Sequence, residues 1–272
     1  MKSVFVNNIE INNKKPFVLI AGPCQLETRE HAMMMSTELR SLTDELGIPF
    51  IYKTSFDKAN RTSFKSRRGI GLKEALPIFD QIRHDVGCPV LTDIHERGQC
   101  KQVAKHVDVL QIPAFLSRQT DLLLAAAKTG LPINVKKAQF MAPGDMKNVV
   151  RKIESVDNKN ILLCERGTSF GYHTLVVDFR GIPEMAETGY PVVFDATHSV
   201  QKPGGQGTTS GGDRTMVPYL ARAALAVGVA AIFIEAHEDP DNAPSDGPNM
   251  IKLDDMRNFL KELKAIDDLI KF

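Results

Sequence analysis

Residues 48–63 read IPFIYKTSFDKANRTS, and the change of character at Lys53 decides how the chain is organised. Ile48 to Tyr52 is an apolar run of the kind that forms a strand buried on both faces. The stretch from Lys53 to Ser63 then sets three cations, Lys53, Lys58 and Arg61, among the donors Ser55, Asn60, Thr62 and Ser63. A strand buried on both faces belongs to a parallel sheet covered by helices, and this polar stretch leaves it at the carboxyl end. Cations among small hydroxyl and amide donors suit a phosphate monoester, which needs charge for its dianion and donors for its oxygens. A solvated basic loop is the competing reading of the same residues.

The same apolar unit recurs along the chain. Strand candidates are 17–22, 48–53, 89–94, 107–112, 132–137, 160–165, 191–196 and 230–235. Helical patterns run over 28–46, 72–85, 96–105, 118–129, 144–155, 181–188, 215–228 and 254–270, with Gly47 as the stop of the first. Eight strands each followed by a helix predict an α/β fold of the (β/α)8 TIM barrel type, with a doubly wound open sheet as the alternative. The 272 residues fit a single barrel domain, residues 1–272. Ahead of it, residues 1–15 alternate in polarity around Asn7-Asn8 and predict a short N-terminal β-hairpin. Two connections exceed what packing requires: 199–214, with five glycines, and 237–249, with three prolines. Loops of that kind at the carboxyl face of a barrel are expected to line or gate a site.

A net charge of +1 gives no global reason to expect nucleic acid or an acidic membrane as partner. The amino terminus lacks a signal-type apolar core, and the longest apolar stretch, 223–236, is broken by Gly228 and short of the ~20 residues of a membrane helix. Cys24, Cys88, Cys100 and Cys164 read as free thiols. A cytoplasmic location is the expectation.

Nearly every strand candidate ends in a polar or reactive side chain: Cys24, Lys53, Asp93 with His95, Gln111, Lys136 with Lys137, Arg166, His198, and Glu235 with His237. In a barrel these ends meet at one mouth. Lys53, Lys58, Lys136 and Arg166, with Arg61 nearby, exceed what one phosphate needs and favour two anionic groups. Cys24, His198, Glu235 and Asp246 come from the first, seventh and eighth strand ends and the loop beyond, which closure makes neighbours. Thiolate, imidazole and carboxylate together suit a divalent transition ion. A buried thiol with no ligand role is the other reading of Cys24.

The chain closely resembles the 3-deoxy-D-manno-octulosonate 8-phosphate synthases. The resemblance rests on AGPC (21–24), SFDKANRTS (55–63), TDIHE (92–96), QIPAFLSRQTDL (111–122), INVKKAQF (133–140), ERGTSFGY (165–172), FDATHSVQ (194–201), SGGDR (210–214) and IEAHEDP (234–240). It implies a cytoplasmic transferase, usually a homotetramer, that condenses phosphoenolpyruvate with D-arabinose 5-phosphate in lipopolysaccharide (KDO) biosynthesis. Lys53, Lys58, Gln111, Lys136 and Arg166 would hold phosphoenolpyruvate, and Asn60, Arg61 and Thr62 the pentose phosphate, with Ser55 and Asp93 beside them. Lys136, His198 and Asp246 would be catalytic, and whether a neighbouring subunit lends Phe115 or Arg118 is open at the level of sequence. The related seven-carbon synthases usually carry KPR-[ST] where this chain has KANRT, so Asn60-Arg61 favours the eight-carbon product. Cys24 and the QxPGGxG loop (201–207) resemble the metal-dependent branch, with Cys24, His198, Glu235 and Asp246 as ligands of Zn²⁺, Fe²⁺ or Mn²⁺. A Schiff-base aldolase with Lys136 as nucleophile is the rival on the same barrel.

Overall fold

Each strand candidate forms, most of them slightly trimmed, because each buries apolar side chains on both faces. The structure, a computed structural model, describes residues 1–204 and 211–271. Barrel strands 1 to 8 are Val18–Gly22, Phe50–Lys53, Val90–Asp93, Val109–Ile112, Ile133–Lys136, Ile161–Glu165, Val192–Asp195 and Ala231–His237. All neighbours are parallel and in chain order, and strand 8 pairs with both strand 7 and strand 1, closing the barrel. Helices follow at Arg29–Leu46, Leu72–Gln81, Arg97–Val103, Thr120–Ala127, Met146–Glu154, Gly181–Ala186, Val217–Val227 and Met256–Lys271. The first begins where the Thr28 side chain accepts the His31 amide and ends at Gly47 in the left-handed region (φ 64°). The second differs from expectation: its α-helical part stops at Gln81, and the last turn widens into a π turn over Ile82–Val86.

The strands divide their side chains between two cores. Outward residues such as Leu19, Phe50, Leu110, Val135, Leu163 and Ile234 pack under the helices. Inward residues Ile20, Ile51, Leu91, Val109, Leu162, Cys164, Val193 and Phe233 form a separate inner core. That core is completed by Val4, Val6, Ile9 and Ile11 of the N-terminal hairpin (Val4–Val6 paired with Ile9–Ile11), which turns at Asn7 (φ 53°) and plugs the amino end.

On five of the strands, the inward position two residues further along changes chemistry. Ile51 is followed by Lys53, Leu91 by Asp93, Val109 by Gln111, Val193 by Asp195 and Phe233 by Glu235, all buried. Period-two alternation places each pair on the same inner face. Gly22 has a steric role at this level: a Cβ there would lie 2.1 Å from the Lys53 carbonyl oxygen.

Two small ribbons were not expected, Thr168–Ser169 with Leu175–Val176 and Gln201–Lys202 with Gly211–Gly212. The second fixes the base of the 199–214 loop, while residues 205–210, with Gly205 and Gly207, lie outside the described part. Among the described residues no helix is long and apolar enough to cross a membrane.

Candidate active site

The inward charged layer opens into a cavity of about 490 Å³ at the carboxyl ends of the strands. Every side chain expected to hold substrate lines it: Lys53, Ser55, Lys58, Asn60, Arg61, Thr62, Asp93, Gln111, Lys136 and Arg166. His198, Gln201 and Asp246 complete one wall.

Two buried ion pairs stand over the ring of Phe233, with their ammonium groups 5.3 and 4.0 Å from its centroid. Lys53 Nζ is 2.9 Å from Glu235 Oε1, and Lys136 Nζ is 2.6 Å from Asp195 Oδ2. The Lys136 Nζ also lies 4.0 Å from the centroid of the Phe233 ring, within cation–π reach. Lys136 is thus half of a close ion pair, an arrangement that suits a cation holding anions better than a free amine. On a third side, Ser55 Oγ donates to Asp93 Oδ1, and His95 Nε2 is 2.9 Å from Asp93 Oδ2.

These pairs set the charges. Burial works to raise the Glu235 carboxyl, but Lys53, His198 and Lys58 outweigh it and hold the group well below its ordinary range. Asp93 is held down in the same way by His95 and Lys53, and Asp195 by His198 and Lys136, against the opposing effect of burial. Burial also opposes the charge on Lys58, yet Cys24, Glu235 and Asp93 keep its ammonium above the ordinary range. The cationic surplus read from the sequence is therefore smaller than expected. Asp93, Asp195, Glu235 and Asp246 stand among Lys53, Lys58, Arg61, Lys136 and Arg166, and nearly balance them.

Arg166 is the exception. It is buried, its Nη2 donates to Gln201 Oε1 at 3.1 Å, and its Nε and Nη1 have no partner among the described residues. A buried guanidinium in the cavity lining with two nitrogens unpartnered suits an anion, since leaving such donors unpaired is costly. Arg61 is already engaged: it donates to Ser245 Oγ at 2.7 Å and to the Pro244 carbonyl, joining the 53–63 loop to the 237–249 loop. Asn60 and Thr62 are exposed at the rim.

The expected metal set also gathers. Cys24, Glu235 and Asp246 each offer a donor atom within 4.8 Å of the others. The His198 Nε2 stands 3.8 Å from Glu235 Oε1 and 3.9 Å from Asp246 Oδ2. The donor set fits a divalent transition ion, and one carboxylate oxygen, Glu235 Oε2, is buried with no partner. Burial and the Glu235 carboxylate push the Cys24 thiol well up, and its Sγ donates to Asp246 Oδ2 at 3.3 Å. Asp246 reaches this position in the left-handed region (φ 53°), beside Gly247, where a Cβ would meet the Pro240 carbonyl oxygen at 2.2 Å.

Not all strand-end groups converge. Lys137 turns away to donate to Thr168 Oγ1 at 2.9 Å and to face Glu165 at 3.5 Å. His237 turns outward to Glu27. Phe115 lines the cavity and is exposed, while Arg118 is exposed and does not line it. Asp195 was missed as a functional residue, although it sits in the FDATH segment. It receives the His198 backbone amide at 2.9 Å, lies 2.8 Å from His198 Nδ1, and so orients both Lys136 and His198. Its signal was the inward register two residues after Val193.

Comparison with known proteins shows the family to which the chain is similar. The model of the DAHP synthetase I family matches residues 2–272. The chain is 63% identical over 268 residues to a 2-dehydro-3-deoxyphosphooctonate aldolase of Granulibacter bethesdensis, covering 98% of this chain and 95% of that one. It is 64% identical over 259 residues to the protein of the same name from Chelativorans sp., covering 95% and 94%. The Brucella anthropi counterpart is 62% identical over 269 residues, covering 99% and 97%.

Proposed function

The chain belongs to the DAHP synthetase I family, and from that premise we propose that it condenses phosphoenolpyruvate with D-arabinose 5-phosphate and water. The products are 3-deoxy-D-manno-octulosonate 8-phosphate and inorganic phosphate, a step of lipopolysaccharide biosynthesis. The observation that carries the reading is Arg166, which lines the same cavity as Lys136 and has two buried guanidinium nitrogens without a partner among the described residues.

Water adds its oxygen to C2 of phosphoenolpyruvate, C3 bonds to the aldehyde carbon, and the aldehyde oxygen takes a proton. The bond from C2 to the phosphate oxygen then breaks and releases phosphate. Arg166, Lys136, Lys53, Lys58 and Gln111 hold the phosphate and carboxylate of phosphoenolpyruvate. Asn60, Arg61 and Thr62, at the outer rim, take the phosphate of the sugar. Ala243, Pro244 and Ser245 of the 237–249 loop line the cavity and limit the access of bulk water, so the fixed charges act in a medium of lowered dielectric. Ser55 and His95 hold Asp93, which faces the substrates as an acceptor for sugar hydroxyls. Lys136 Nζ, 3.4 Å from His198 Nδ1, is placed to hold a proton at the reacting centre.

Cys24, His198, Glu235 and Asp246 would hold a divalent ion, Zn²⁺, Fe²⁺ or Mn²⁺. Such an ion supplies Lewis-acid polarisation of the aldehyde and a water of lowered pKa. By themselves the side chains are nearly balanced in charge and leave little positive potential for two anionic substrates. A homotetramer in the cytoplasm, with Phe115 and Arg118 near a neighbouring mouth, completes the proposal.

The test is release of phosphate from phosphoenolpyruvate. Release that depends on arabinose 5-phosphate, and is far weaker with a four-carbon aldose phosphate, supports the assignment. Preference for the four-carbon sugar would move the chain to the seven-carbon reaction.

A further inference from the structure

A second cluster of metal-type ligands lies just outside the mouth, on the same two chain segments that carry Cys24 and Glu235. Glu27, three residues beyond Cys24, His237, two beyond Glu235, and His31, in the first turn of the first helix, each offer a donor atom within 4.8 Å of the others. We propose that Glu27, His31 and His237 form a second divalent-metal site, of the Zn²⁺ class, distinct from the one at Cys24.

The geometry goes further than a set of ion pairs. His237 Nε2 lies 2.8 Å from Glu27 Oε1, and His31 Nδ1 lies 4.0 Å from the same oxygen. Donors around a tetrahedral ion with bonds near 2.1 Å stand about 3.4 Å apart, between these two spacings. His31 Nδ1 is buried and has no hydrogen-bond partner among the described residues, so the ring presents an unused nitrogen to the cluster. Its other nitrogen, Nε2, is 2.9 Å from Glu238 Oε2. A ligating histidine commonly gives its second N–H to a carboxylate in this way, which fixes the tautomer and the ring plane. The same Glu238 oxygen is 3.3 Å from His237 Nδ1, within reach of a proton on that nitrogen, and the two ring centroids are 4.9 Å apart. Binding requires His237 to carry its proton on Nδ1 towards Glu238, replacing the bond that Nδ1 accepts from the Asp239 amide at 2.9 Å.

Two imidazoles and one carboxylate suit Zn²⁺, Co²⁺ or Fe²⁺ and argue against Mg²⁺ and Ca²⁺, which prefer oxygen ligands throughout. Three protein ligands leave a fourth position open, and the half-buried Glu27 gives solvent a route to it.

Equilibrium dialysis of the metal-stripped full chain against Zn²⁺, with elemental analysis, reads the stoichiometry. The Cys24→Ala variant should still bind one Zn²⁺ per chain, and adding His31→Ala or Glu27→Gln should reduce that to none. Two outer variants are used so that a failure of one to fold leaves the other, with circular dichroism as the check. Co²⁺ separates this site from the one in the mouth. The inner site should give a thiolate-to-cobalt charge-transfer band that Cys24→Ala abolishes, whereas the outer site should give only visible d–d bands that Glu27→Gln abolishes. Loss of all tight Zn²⁺ binding in Cys24→Ala, or unchanged stoichiometry in both outer variants, would overturn the proposal. A wild-type chain with one Zn²⁺ and no thiolate band would refute the mouth site and keep this one.

Discussion

Ile51 and Lys53 lie two residues apart on one strand, point into the same barrel and meet opposite demands. At the level of Ile51 the interior is closed by the hairpin and filled by Leu91, Val109, Val193 and Phe233. At the level of Lys53 the same strands present Asp93, Gln111, Asp195 and Glu235 to a cavity. The lower layer loses water and gains contacts, so its side chains stabilise the fold. The upper layer must bury charges, which costs stability unless each finds a partner. The pairs Lys53–Glu235 and Lys136–Asp195 meet that condition, and Arg166 does not. The unmet donors are where substrate binding energy is to be gained.

Arg166→Ala should break this contrast most clearly. Steady-state assays should show activity lower by about 10²- to 10³-fold, the scale for losing a preorganised charge donor. Thermal unfolding of the same variant should occur at an unchanged or higher temperature, because an unpaired buried cation has been removed. A large loss of stability would mean that Arg166 belongs to the structural layer. The converse test is Leu91→Ala in the lower layer. It should cost about 2–5 kcal/mol of stability in denaturant titrations, with kinetic constants little changed in the protein that remains folded.

This division explains what the sequence showed and what it concealed. Eight apolar runs predicted the closed sheet, because strands covered on both faces must be apolar throughout, and Lys53, Asp93, Gln111 and Lys136 stood at their ends as visible exceptions. What single runs did not reveal was the inward register. Asp195 looked like an ordinary strand end, and its role appears only when period two is counted from Val193 and when Lys136 arrives from two strands away. The outward turn of Lys137 follows the same rule, since adjacent lysines on a strand cannot both face inward, whereas His237, two residues beyond Glu235, departs from it and turns to Glu27. The engagement of Arg61 by Pro244 and Ser245 joins loops far apart in the chain, and no local pattern announces it.

Smaller effects sharpen the comparison. Arg61→Ala should weaken arabinose 5-phosphate by about ten- to a hundredfold, the equivalent of roughly 1.5–3 kcal/mol for a charge-assisted contact, and leave phosphoenolpyruvate nearly unaffected. Equal losses for both substrates would place Arg61 in loop architecture instead. The acid limb of stability should belong to the upper layer. Asp93, Asp195 and Glu235 are held below their ordinary values. Their contribution is therefore complete above the unfolded carboxyl range near pH 4, and drains away as pH falls through the lower folded values. Asp195→Asn should flatten that limb in a pH titration of unfolding; an unchanged limb would put the acid sensitivity elsewhere.

The most direct measurement is the metal content and phosphate release of one preparation, followed through exhaustive chelation and re-addition. If Cys24, His198, Glu235 and Asp246 hold an ion that completes the charge of the mouth, release from phosphoenolpyruvate and arabinose 5-phosphate should stop on chelation. It should return with Zn²⁺, Mn²⁺ or Fe²⁺, and fail to return in Cys24→Ala. Full activity in a wild-type chain with no metal detectable by elemental analysis would contradict it.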